Sequence, residues 1–224
     1  MWCVAAERWY DLAVRDRLTV DVVSDIVCPW CFIGKRRIER AAGILGRGID
    51  IRWHPFQLNP GMPAEGVSRL EYRIAKFGSW EHSQQLDARV AENGRAAGIE
   101  FRHDLMARTP NSFRGHALLA AALQQGGVEL QNRVAERLFT GYFTMGEDVG
   151  DVAVLASIAR EFGAIADLDD AGLAGHVRDE EEAARAAGVQ GVPLISFKGQ
   201  VVSEGAAPEG MLAARLRELE KRGV

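Results

Sequence analysis

The chain has 224 residues, 47% of them hydrophobic and 26% charged, with three cysteines and a net charge of −4. That apolar content over that length supports a substantial core and excludes a disordered or fibrous protein. The acidic balance without a long basic block argues against nucleic acid as a partner, and no apolar stretch is long enough to span a membrane. The first 17 residues carry Glu7, Arg8, Asp11, Arg15 and Asp16 where a signal peptide needs an apolar centre. Residues 1–17 therefore read as an N-terminal extension, flexible or upstream of the true start, and a cytoplasmic setting is expected.

The run Leu18-Thr19-Val20-Asp21-Val22-Val23 alternates and is β-branched, so it predicts a strand; residues 32–42 return apolar side chains at helical spacing. Between them stands Cys28-Pro29-Trp30-Cys31, at the junction of strand and helix. Unpaired N–H groups and partial positive charge at a helix N-terminus favour a thiolate, which makes Cys28 the expected nucleophile. Pro29 suits the first helical turn, and Cys31, about one turn on, is close enough to resolve a mixed disulfide on Cys28. The competing readings are two inert buried thiols or half a zinc site. Zinc would need two further ligands, whereas Cys3 and five scattered histidines form no second paired motif, so no metal is expected.

A second strand is expected over Ile49–Phe56, with Ile49, Ile51 and Trp53 on one face, ending in a proline-rich loop up to Pro63. Helices follow over Ser68–Lys76, Ser79–Ala97, Phe113–Gln125, Glu129–Phe143, Val152–Phe162 and Leu173–Ala187, with Gly98, Gly126 and Gly163 as stops and Asp151 as an N-cap. Strand character returns over Val192–Phe197, then a turn at Lys198-Gly199-Gln200, a strand over Val201–Ser203 and a helix over Pro208–Lys221. The order implies an α/β domain in two sequence-distant halves, 18–63 and 189–224, interrupted by a helical block over 64–188. Pro193 at the head of a strand reads either as an ordinary trans proline or as a cis bond that brings backbone groups of Val192 against Cys28.

Other side chains have plainer readings. His54 and His116 read as packed or hydrogen-bonded histidines, and Tyr142 and Phe143 as core contacts. Lys35-Arg36-Arg37 and Glu180-Glu181-Glu182 read as solvated helix faces. Asp25 either perturbs the thiols or satisfies turn amides, and Asn111 either reaches the cleft or caps the helix that follows.

The segments Ser24-Asp25-Ile26-Val27-Cys28-Pro29-Trp30-Cys31-Phe32-Ile33-Gly34, Trp53 to Pro60, Thr109 to Ser112, Tyr142 to Asp151 and Gly188 to Pro193 together resemble the DsbA-family thioredoxin-fold oxidoreductases of the FrnE-like branch, over about residues 18–222. The resemblance implies a thioredoxin fold interrupted by an inserted all-helical domain, with Cys28 attacking, Cys31 resolving and Pro193 as a cis-proline facing them. It further implies that Pro29 and Trp30 tune the redox potential and that backbone groups of Val192 hold a thiol or disulfide substrate, peptide or small molecule. No bound cofactor is implied; glutathione is a candidate co-substrate and a homodimer a candidate assembly. Ser203, Gly205 and Ala206, and Asn111 beside them, are candidate ligand contacts.

The related 2-hydroxychromene-2-carboxylate isomerases and kappa-class glutathione transferases usually have serine in place of Cys28 and no resolving cysteine. A glutathione-dependent isomerase or transferase is therefore the alternative function. Two departures stand out: the first 17 residues have no counterpart in the pattern, and the additional C-terminal cysteine pair of some FrnE-like members is missing.

Overall fold

The computed structural model describes residues 17–164 and 167–223. The extension assigned to 1–17, with Cys3, lies outside them except for Arg17, which opens the first strand opposite Gly48 and whose Nε donates to Asp50 Oδ1 at 2.8 Å.

Strand β1 (Arg17–Ser24) buries Leu18, Val20, Val22 and Ser24, every second residue, as its alternation predicts. Helix α1 (Pro29–Leu45) follows and ends where Gly46 adopts the left-handed conformation, φ 69°, that favours glycine. Strand β2 (Gly48–Pro55) then pairs in parallel with β1. The four-stranded sheet is completed by the C-terminal hairpin β5 (Leu194–Phe197) and β6 (Gln200–Glu204), in the order β2-β1-β5-β6, with β5 antiparallel to β1. Lys198 and Gly199 join the hairpin with φ of 47° and 77°, the positive pair a tight two-residue turn requires. Helix α7 (Glu209–Lys221) packs on α1 and closes the half begun by β1.

The inserted segment holds α2 (Arg69–Phe77), α3 (Trp80–Ala97), α4 (Phe113–Thr140), α5 (Val152–Glu161) and α6 (Ala171–Ala186). The caps act as local chemistry dictates: Ser79 Oγ accepts from His82 N at 3.1 Å, and Asp151 Oδ1 from Ala153 N at 2.8 Å. The stop expected at Gly126 is present: Gly126 and Gly127 leave helical geometry, Gly127 at φ 64° and ψ −163°, so α4 is two helices that meet at a kink and the second resumes beyond it. The helix expected to reach Phe143 passes at Gly141 into a single π-type turn, Gly141–Met145. Besides these helices and the loops between them, the segment contains a two-residue ladder, β3 (Val67–Ser68) against β4 (Arg108–Thr109), too short to leave a periodic signal in sequence.

One apolar cluster runs through both parts, from Val20, Phe32 and Ile195 to Phe101, Leu118 and Phe139. Phe32 of α1 stacks on Phe139 of α4 at 5.3 Å between ring centroids and meets Phe101 edge-on at 6.1 Å, so the helix bearing the two thiols rests on aromatic rings of the inserted segment. Tyr142 and Phe143 are buried there too.

Two expected solvated faces are corrected. Lys35 is 3% exposed, its ammonium bonded to Glu39 and 2.9 Å from Glu136, and Arg36 pairs with Glu136 as well, tying α1 to α4. Glu181 is buried and accepts from Gln57 N at 3.0 Å, while Glu180 meets His54 at 3.3 Å, tying α6 to the end of β2. Hydrophilic runs on these helices face partner elements, and runs of charge alone do not distinguish the two cases.

Candidate active site

Cys28 is the N-cap of α1, in extended conformation, with Pro29 in the first turn. Its carbonyl accepts from Cys31 N at 3.1 Å and its own N–H donates to Asp25 O at 3.0 Å, so the tetrapeptide is a tight turn wound directly into the helix. The Cys28 thiol donates to Val192 O at 3.6 Å, and the Val192–Pro193 bond is cis. Gly34, one turn further along α1, lets Pro193 come this near: a Cβ there would stand 3.3 Å from Pro193 Cγ. Both cysteines are free thiols, but their surroundings differ. Cys28, 3% exposed, lines an open cleft, whereas Cys31 has no exposure and lies behind it. Burial pushes the Cys31 thiol well above its usual range, and the neighbouring Cys28 sulfur pushes the same way, against weaker help from the Ser24 hydroxyl and the Asp25 backbone.

Asp25 has no solvent exposure and serves amides: Val27 N donates to its Oδ1 at 3.3 Å and Leu58 N to its Oδ2 at 2.7 Å. Of its two readings, turn support is the one whose contacts are present. His116 Nε2, also buried, stands 3.5 Å from Asp25 Oδ1, so this histidine is packed beneath the motif loop. His54 bonds Asp21 at 2.9 Å and Glu180 at 3.3 Å away from the thiols; burial opposes its charge, yet these two carboxylates push it up to about 9.

The cleft encloses about 480 Å³. Cys28, Pro29, Trp30 and Val192 form one side, and Trp30 keeps 37% of its surface exposed at the rim. Pro193 is buried immediately beyond Val192. The candidate contacts Asn111, Ser203, Gly205 and Ala206 do not line this cleft. Asn111 Oδ1 accepts from Phe113 N at 2.9 Å and its Nδ2 donates to Met62 O at 2.7 Å, the capping alternative, beside a separate hollow. Gly205 lines a neighbouring hollow of about 500 Å³ that shares Gly191 and Val192 with the cleft. Ser203 Oγ donates to Gly205 O at 3.0 Å, and Ala206 O accepts from Arg37.

The opposite side of the cleft comes from α2, α3 and the loop after them, with Arg69, Arg73, Lys76, Asp87, Arg89 and His103. None of these was singled out from sequence, because Arg69, Arg73, Lys76, Asp87 and Arg89 are ordinary charged residues on amphipathic helices and His103 is a lone histidine in a loop. Only the folding of α2 and α3 against Cys28 gives them a site.

Among known proteins, a family model described as "DSBA-like thioredoxin domain" matches residues 19–217. The chain is 29% identical over 147 residues to the uncharacterised protein YwbO of Bacillus subtilis (strain 168), spanning 64% of this chain and 66%, just under two thirds, of that relative. Its structure superposes on a probable DsbA oxidoreductase of Streptomyces coelicolor with a TM-score of 0.80 at 29% identity, covering 91% of this chain and 90% of that one. The cytosolic disulfide reductase DsbM of Pseudomonas aeruginosa, solved with GSH, gives a TM-score of 0.62 at 20% identity, covering 91% and 100%, a likeness of fold. Among the described residues no helix is long and apolar enough to cross a membrane.

Proposed function

Because this chain belongs to the DSBA-like thioredoxin domain family, we propose that it is a thiol–disulfide oxidoreductase that cycles through Cys28 and Cys31. The observation that carries the proposal is the pairing of an N-cap thiol, open to a cleft and facing the Val192 carbonyl, with a second thiol sealed one turn behind it. In the reducing direction the Cys28 sulfur attacks one sulfur of a substrate disulfide, and the other leaves as a thiolate that takes up a proton. Cys31 then loses its proton and attacks Cys28, releasing the second substrate thiol and leaving the Cys28–Cys31 disulfide. The oxidising direction reverses each step. Pro29 and Trp30 set how many N–H donors reach the Cys28 sulfur, and Val192 and Pro193 present backbone to the substrate.

The substrate is a thiol or disulfide, peptide or small molecule, with glutathione as co-substrate and no bound cofactor. Support for glutathione and for a cytoplasmic setting comes from the fold shared with DsbM, described as cytosolic and solved with GSH. The test is equilibration in a series of glutathione redox buffers, trapping of free thiols and weighing of the products, with Cys28→Ala and Cys31→Ala alongside. A reversible Cys28–Cys31 disulfide with a potential between roughly −120 and −270 mV is expected. Free thiols across the whole series, or a glutathione adduct on Cys28 with Cys31 dispensable, would instead favour the isomerase or transferase reading.

A further inference from the structure

Arg69, Arg73, Lys76 and Arg89 line the cleft, and among its lining residues Asp87 is the one carboxylate set against them. Arg69 Nη2 donates to Asp87 Oδ2 at 2.7 Å and Arg73 Nη2 to Asp87 Oδ1 at 2.6 Å, so two guanidinium groups share a single negative charge in a setting where their side chains are 5% and 17% exposed. Lys76 Nζ has neutral partners, Tyr72 Oη at 2.6 Å and Asn59 Oδ1 at 3.4 Å. Arg89 is exposed and no carboxylate of the described residues pairs with it. Burial disfavours charge on His103, 3.9 Å from Asp87, so it adds little.

The cleft thus carries an excess of three positive charges in a chain whose net charge is −4. Positive charge concentrated against the sign of the whole molecule, over partly desolvated walls, raises the local concentration of anions. The volume, about 480 Å³, suits a small molecule or a few residues of chain.

We propose that the cleft selects small anionic disulfides, whose carboxylates are met by Lys76 and Arg89 on the wall facing Cys28. This deepens the oxidoreductase reading and rests on it; the bonds made and broken are those of the exchange above, and the cations also favour departure of the anionic thiolate. Arg69 and Arg73 are committed to Asp87 and supply field rather than direct contact.

The first experiment needs no turnover. Cys28 of the reduced protein is alkylated with iodoacetate, an anion, and with iodoacetamide, its neutral counterpart, and the ratio of rates is compared with that for 2-mercaptoethanol. The ratio is expected to exceed that of the free thiol by about tenfold. It should fall towards the free-thiol value in Lys76→Gln with Arg89→Gln and on raising salt. Lys221→Gln, at the far end of α7, should leave it unchanged, and thermal unfolding checks that each variant is folded. A ratio no higher than that of the free thiol overturns the proposal.

The second experiment compares 3,3′-dithiodipropionate, hydroxyethyl disulfide and cystamine, a dianion, a neutral molecule and a dication, as substrates. The expected order of kcat/KM is anion, neutral, cation; equal values overturn the proposal. A raised alkylation ratio with no turnover of any disulfide overturns the oxidoreductase reading and leaves the preference for anions standing.

Discussion

On one wall of the cleft the chemistry is held by backbone: Cys28 caps α1, its amide is fixed by Asp25 O, and its thiol meets the carbonyl of Val192. On the other wall everything is held by side chains, with Arg69 and Arg73 gathered around Asp87 and Lys76 propped on Tyr72. Backbone contacts survive most substitutions, so the first wall can keep one reaction while its neighbours change. Desolvated ion pairs fail when either partner is lost, so the second wall is where selectivity and fragility lie together.

The most severe way to break the comparison is to remove the reacting atom. Cys28→Ala should abolish exchange, and with Cys3 replaced by serine in both proteins, Cys31 should then react with iodoacetamide at least about a hundredfold more slowly than Cys28 does in Cys31→Ala, because burial withholds both access and the thiolate. Comparable rates would show that the two thiols are not divided as described.

Next in size is the support behind the first wall. Phe139→Ala removes the ring on which Phe32 stacks and should cost about 4 kcal/mol by urea unfolding, within the usual range for a buried aromatic. A loss below about 1 kcal/mol would mean that α1 does not depend on the inserted segment.

On the second wall, Asp87→Asn leaves two guanidinium groups without their carboxylate and should cost about 3 kcal/mol. An Asp87→Asn protein as stable as the wild type would show that Arg69 and Arg73 turn to solvent at no cost.

The smallest effect concerns the seam between α6 and the sheet. His54 is charged in the folded protein up to about pH 9 but only to about 6.5 when unfolded, so its bonds to Asp21 and Glu180 stabilise fully below the lower value and are lost as pH rises through the higher one. His54→Gln should therefore cost roughly 1–2 kcal/mol at about pH 6, after allowance for partial solvent screening, and close to nothing at about pH 10. A gap between the two proteins that widens with pH would reverse the assignment.

How much of this was legible beforehand follows from the range over which each signal acts. Strand alternation, helical spacing, serine and aspartate caps and a cysteine at a helix N-terminus are decided within about four residues, so β1, α1, α3, α5, the terminal hairpin and the placing of Cys28 and Cys31 could be read directly. The resemblance to DsbA-type proteins extended this to the fold and to Pro193. The break at Gly126 and Gly127 is equally local, two adjacent glycines between two helical patterns, whereas the π-type turn at Gly141 has no such marker.

The sequence alone determined the principal helices and strands, their order, and the two thiols of the Cys28-Pro29-Trp30-Cys31 motif at the junction of strand and helix. Tertiary structure alone decided which charges are buried, as for Lys35 and Glu181, and what faces Cys28. Residues 69 to 103 reach the cleft only when α2 and α3 fold over the Cys28 turn, about 40 to 75 residues earlier in the chain, and Val192 only when β5 pairs with β1, more than 170 residues away. Desolvation and the pairing of charge depend on such neighbours distant in sequence, and no local pattern encodes them.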